Sequence, residues 1–170
     1  DACLGFAPSE VEVTVSDLVV RGTSRLVLTA PLTARNVTLE GQGRLSHLEA
    51  SASLEPGIAL SAERLEIGTE AAIDVTARGY LGDCHGGACG PGAYTLGNVT
   101  GGARPFSGGS YGGLGAGPNP NPTYGDAASP GELGSGGGYG SGGGEPGGDG
   151  GGRVVVNAGT VIVDGEIAAD

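Results

Sequence analysis

Apolar residues recur at every second position in four stretches of this chain. The first is "SEVEVTVSDLVV" (9–20), where Val11, Val13 and Val15 and then Leu18 and Val20 repeat the alternation. The others, "RLVLTAPLTARNVTLEGQGRL" (25–45), "GIALSAERLEIGTEAAI" (57–73) and "GRVVVNAGTVIVDGEI" (152–167), follow one template. An apolar-x-apolar strand meets a small residue and a corner, then come a second such strand, a short turn and a third apolar position. Laid over one another, Leu26 and Leu28 match Ile58 and Leu60 and then Val154 and Val156, with Ala30, Ala62 and Ala158 at the first corner. The second strands carry Val37 and Leu39, Leu65 and Ile67, Val161 and Val163; the third positions are Leu45, Ile73 and Ile167.

Alternation by two is the period of a strand, since a helix spaces its apolar residues three and four apart. Each copy is too short to bury its apolar face alone, so copies must stack, each buried aliphatic side chain contributing about 1.5–3 kcal/mol. Glu12, Glu63, Arg64 and Glu66 alternate outward, as a solvated face requires. Three brief strands per copy predict an all-β fold, a parallel β-solenoid (β-helix), with the first stretch as an earlier rung or a cap.

Glycine changes the picture between the second and third copies. Of 38 glycines, 30 lie in residues 79–152 and 8 in the rest of the chain. A plain linker is poor in aromatic residues, yet six of the seven aromatics fall here: Tyr80, Tyr94, Phe106, Tyr111, Tyr124 and Tyr139. The expectation is therefore a long glycine-rich insertion packed on the solenoid as a mantle of turns and extended glycine strands, with those six residues as its anchors. A disordered loop is the alternative reading of the same composition. Residues 1–170 read as one module: 1–78 the first rungs, 79–152 the insertion, 153–170 a further rung.

The formal charge is −11, from 19 acidic residues against 8 arginines, and no basic cluster could neutralise phosphates. Nucleic acid is thus not expected as a partner, and neither is membrane insertion, because no apolar stretch reaches membrane-spanning length. The alternation still runs at "VIVDGEIAAD", the pattern expected of a segment of a longer protein.

Cys84 and Cys89 bracket "CHGGAC". A pair so close in a glycine loop closes a small disulfide ring in an oxidising compartment, whereas with His85 it would supply three of the four ligands that structural zinc needs. The disulfide is the favoured reading, with no metal site, and Cys3 is left over. Carboxylates at Glu66, Asp74, Asp164 and Glu166 fall near equivalent strands and could serve acid–base chemistry on a sugar, although outward acids are ordinary on a soluble strand surface. "GGDGGG" (147–152) is an imperfect glycine-aspartate repeat, so no cofactor is expected and calcium is the sole candidate. Asn36 and Asn98 head Asn-x-Thr sequons, and His47 reads as a rung-edge side chain.

"GGSYGGLGAG" (108–117), "YGDAASPGELGSGGG" (124–138) and "GGGRVVVNAGTVIVDGEIAAD" (150–170) resemble the glycine-rich parallel β-helix segments of very large secreted or cell-surface bacterial proteins. The resemblance implies extracellular or cell-surface placement and a structural or adhesive role, and it brings no catalytic residues. The expected function is an extracellular structural or adhesive module of a surface, fibre or matrix protein. Its expected partners are neighbouring repeats or copies of itself, with surface polysaccharide as a second candidate. A carbohydrate-binding or carbohydrate-cleaving module is the alternative.

Overall fold

The computed structural model describes residues 2–3, 12–84, 89–90, 92–140 and 145–170. Its strands are β1 (Ala2–Cys3), β2 (Val13–Val20), β3 (Arg25–Leu28), β4 (Leu32–Leu39), β5 (Arg44–His47), β6 (Ile58–Ile67), β7 (Ala72–Asp74), β8 (Val154–Val163) and β9 (Glu166–Ala168). Odd-numbered strands form one sheet in the order β1-β3-β5-β7-β9, and even-numbered strands form another in the order β2-β4-β6-β8. These nine strands pair in parallel throughout. The expected β-solenoid is corrected by this topology: the strands belong to two separate sheets that are not closed or coiled into a solenoid.

The reason lies at the expected first corner. Strand β6 runs through Ala62 without interruption, so a copy supplies two strands and not three. What the small residue marks is a change of phase. Ile58 and Leu60 are buried before it, Leu65 and Ile67 after it, while Glu63 and Arg64 are both exposed. Every even strand steps over one residue of the register at this point: Ser16, Arg35, Glu63 and Gly159.

The first copy also sits differently from its alignment. Leu32 and Ala34, not Leu28 and Ala30, lie beside Leu60 and Ala62. Leu26 pairs with Leu45 in the other sheet, on the far side of the bend that contains Pro31. Proline lacks the N–H that a continuous strand would need there. Between β6 and β8 the pairs are Ile58–Val154, Leu60–Val156, Ala62–Ala158, Leu65–Val161 and Ile67–Val163, the residues that the repeat alignment matches.

Side chains of both sheets form one apolar core, with Val37, Leu39, Leu45, Ile58, Leu65, Ile67 and Ile73 sealed from solvent. Between the sheets the chain turns tightly, with Gly22 and Gly41 at φ 64° and 58°. Gly43 has a different reason to be glycine, because an added Cβ would lie 2.4 Å from the Val20 carbonyl oxygen. Gly43→Ala is expected to cost roughly 1–3 kcal/mol through backbone displacement, read as a lower chemical-denaturation midpoint at an unchanged slope.

Residues 49–56, 76–153 and 170 make up a second compact unit. Its backbone bonds recur at every third residue. Tyr80 and Asp83 N–H groups donate to the Gly134 and Gly137 carbonyls, Gly134 and Gly137 donate to Gly151 and Gly148, and Gly147 and Gly150 donate to Asp83 and Tyr80. Three residues per turn is the repeat of polyproline II, a conformation with no internal hydrogen bonds, so these segments satisfy one another. Glycine is required where they touch: an added Cβ at Gly79, Gly82, Gly147 or Gly150 would meet a carbonyl oxygen at 1.9–2.2 Å. These extended glycine-rich segments thus bond to one another with the three-residue repeat of polyproline II, and Ala50, Tyr80 and Leu133 form a buried cluster in the unit.

Candidate functional site

A departure from a finished surface lies at β8 and β9. In the strands beside them, Ile58, Leu60, Leu65, Ile67 and Ile73 are all 2% exposed or less. Their register partners continue the same inward columns, yet Val161, Val163 and Ile167 are 49%, 43% and 43% exposed. At the opposite edge β2 leaves Val15 and Val19 at 36% and 54%. An outer parallel strand also presents N–H and C=O groups with no strand partner on one side, so among the described residues the two edges combine apolar side chains with open backbone.

Charge differs between those edges. Successive turns stack by the bonds Glu40 N–H to Val20 O, Gly68 N–H to Leu39 O and Asp164 N–H to Ile67 O, each 2.9 Å. One column therefore runs Arg21, Glu40, Gly68, Asp164. A second runs Arg25, Arg44, Ala72, Glu166. Both columns begin with arginine near β2 and end with a carboxylate at β8 and β9. The Arg25 guanidinium donates to Ser46 Oγ at 3.1 Å, and Arg44 donates to the Glu70 carbonyl at 2.8 Å.

The four candidate acids are not assembled into one site. Glu66 lies on β6, ion-paired with Arg64 at 2.8 Å, whereas Asp74 lies on β7 in the other sheet. Asp164 and Glu166 are exposed at the β8–β9 turn and its following strand. Glu166, Glu70 and Arg44 border a groove of about 540 Å³ along the turns. A second groove, about 600 Å³, crosses the outer face of the even-numbered sheet. Its floor is a ladder across the copies, Thr14, Thr33, Ser61 and Asn157 in register, bordered by Arg35 and Glu63. Thr33 Oγ1 donates to the Glu12 carboxylate, and Asn36 Nδ2 donates to Asp17 Oδ1 at 2.6 Å. The Asn36 amide, with the Ser16 hydroxyl, holds the Asp17 carboxyl below the ordinary carboxylate range.

Cys84 and Cys89 form a disulfide. Such a bond is the chemistry of an oxidising environment. Alkylation before and after reduction is expected to differ by two labels in the intact mass; equal labelling would mean two free thiols. His85 lies outside the described residues. Asp83 was not legible as a functional residue, yet it is 3% exposed and its Oδ1 accepts from the N–H groups of Cys84 and Gly90, closing the ends of the loop. Asp149 of "GGDGGG" accepts a bond from Gly82 N–H at 2.7 Å. Among the described residues, no group of three or more His, Cys, Asp or Glu is placed to hold a metal ion, and no helix is long and apolar enough to cross a membrane.

Of the six aromatic residues expected as anchors, the structure brings four together. Tyr124 meets Tyr80 and Tyr111 edge-on, with ring centroids 6.4 and 5.2 Å apart. Tyr94 and Tyr124 pack against the cluster of Ala50, Tyr80 and Leu133. Burial raises the phenol pKa values of Tyr80 and Tyr124. Tyr139 is half-buried elsewhere, and Phe106 is 62% exposed at φ 64°. His47, read as a rung-edge residue, is fully buried, with Nδ1 2.6 Å from the Leu48 carbonyl. Asn98 sits in a tight turn and donates to the Ser51 carbonyl at 2.7 Å.

Comparison of the chain with known protein families, curated proteins and solved structures finds no match.

Proposed function

We propose that this chain is an extracellular structural or adhesive module of a surface, fibre or matrix protein, and that it works by contact. The observation that carries this reading is the exposure of apolar columns at β8 and β9 whose continuations in β6 and β7 are sealed. A single-sided apolar strand edge costs solubility and is retained where something covers it. Extracellular placement is supported by the Cys84–Cys89 disulfide. The separation of Glu66 from Asp74 in two sheets weighs against the carbohydrate-cleaving reading, because acid–base chemistry on a glycosidic bond uses two carboxylates flanking one site. Binding of a neutral glycan keeps one feature in its favour, the hydroxyl and amide ladder of Thr14, Thr33, Ser61 and Asn157.

The test is fractionation of producing cells with an antibody to the chain, together with incubation of the pure protein with acidic and neutral polysaccharides. Recovery in the surface or matrix fraction without polysaccharide turnover is expected. Recovery inside the cell, or turnover abolished by Glu66→Ala or Asp74→Ala, overturns the reading.

A further inference from the structure

We infer that the partner at the β8–β9 edge is a second copy of this chain, docked head to tail with its β2 edge against β8 and with β9 taking the place that β1 holds in the free molecule. This rests on the contact reading above and names its partner. Extending the in-chain register by one strand sets Val156 of one copy beside Val13 of the next, Ala158 beside Val15, Val161 beside Leu18 and Val163 beside Val20. The exposed Val161 and Val163 are then covered by the half-buried Leu18 and the buried Val20, and the exposed Val15 by Ala158.

The same extension acts on β9. Glu166, Ile167 and Ala168 share columns with Arg25, Leu26 and Val27, and β1 places Ala2 and Cys3 on Leu26 and Val27. Two residues of β1 thus occupy positions that Ile167 and Ala168 of a neighbouring copy match in register. Exchange replaces a two-residue strand by a three-residue one and brings the exposed Ile167 onto Leu26.

Charge selects this orientation. Head-to-tail docking sets Asp164 of one copy next to Arg21 of the other, and Glu166 next to Arg25, at the spacing of adjacent strands, about 4.8 Å. A symmetric tail-to-tail contact would instead oppose carboxylates to carboxylates. Both edges remain available after one contact forms, so the association is heterologous and grows as an open series.

Sedimentation velocity over a concentration series tests the inference with two double variants, Asp164→Arg with Glu166→Arg, and Arg21→Asp with Arg25→Glu. The wild type is expected to form a growing series of oligomers, each variant alone to remain monomeric, and an equimolar mixture of the two variants to associate again. Restoration in the mixture excludes misfolding as the cause of the loss, because each mutated edge then meets one of opposite charge. A monomeric wild type, association of either variant alone, or failure of the mixture to associate overturns the inference. Failure here leaves the contact reading standing on its fractionation and turnover results, which are separate measurements.

Discussion

Leu65→Ala is expected to destabilise the two-sheet unit by about 2–5 kcal/mol, whereas Val161→Ala, at the register partner of Leu65, is expected to cost less than about 1 kcal/mol in the dilute monomer. Leu65 has no exposed surface and belongs to the core shared by both sheets; truncating it removes apolar contacts and leaves a cavity that parallel strands on either side hold open. Val161 lies in the same column one strand further on, but about half of its surface is in water. Denaturant titration at low protein concentration reads the difference directly. Equal losses at the two positions would mean that β8 is covered in solution and would remove the main support for an open edge. At high concentration the ranking changes in a second, informative way, since Val161→Ala should then weaken association while Leu65→Ala acts on folding.

How much of this was legible depends on which kind of periodicity each unit uses. Alternation by two announces strands, and the β6–β8 register can be read from aligned copies because each inward aliphatic in one must stack on an inward aliphatic in the next. The count of strands per copy could not be read in the same way. Ala62 and Ala158 look like corners, but a small residue is equally compatible with a bend inside one strand, and only pairing distinguishes the two. The first copy misled for a related reason: Leu26-Val27-Leu28 and Leu32-Thr33-Ala34 both offer a small or aliphatic residue two apart, and Pro31 between them is what assigns them to different sheets. The charged columns were invisible because Arg21 and Asp164, or Arg25 and Glu166, share a column only through the stacking of four strands, which sets them at its opposite ends. In the glycine-rich unit the signal was present at a different period. Gly79 and Gly82, Gly134 and Gly137, and Gly147 and Gly150 are each three apart, the repeat of the bonds made by Tyr80 and Asp83, Gly134 and Gly137, and Gly147 and Gly150.

That period of three makes a sharp distinction between neighbouring glycines. Gly147→Ala is expected to disrupt the glycine-rich unit, and Gly148→Ala is expected to leave it intact. An added Cβ at Gly147 would stand 1.9 Å from the Gly137 carbonyl oxygen, far inside contact distance, whereas at Gly148 it would meet nothing within 4 Å. The clash is with backbone and not with a side chain that could swing aside. Relief therefore requires the 147–151 segment to separate from its neighbours, breaking the bonds from Gly147 to Asp83 and from Gly150 to Tyr80. Each bond contributes about 0.5–1.5 kcal/mol, and buried groups left without partners cost about 1–3 kcal/mol each, so a loss of several kcal/mol is anticipated. Gly148→Ala reduces the freedom of the unfolded chain without a clash and should be neutral or stabilising by up to about 1 kcal/mol. Near-ultraviolet circular dichroism of the Tyr80, Tyr111 and Tyr124 cluster provides one readout, and limited proteolysis a second. In the wild type and in Gly148→Ala, cleavage is expected at the exposed Phe106 before the buried Tyr80. In Gly147→Ala the tyrosine signal should collapse and cleavage should spread to Tyr80 and Tyr124. Indistinguishable behaviour of the two variants would mean that close backbone contact is not what the glycines are for.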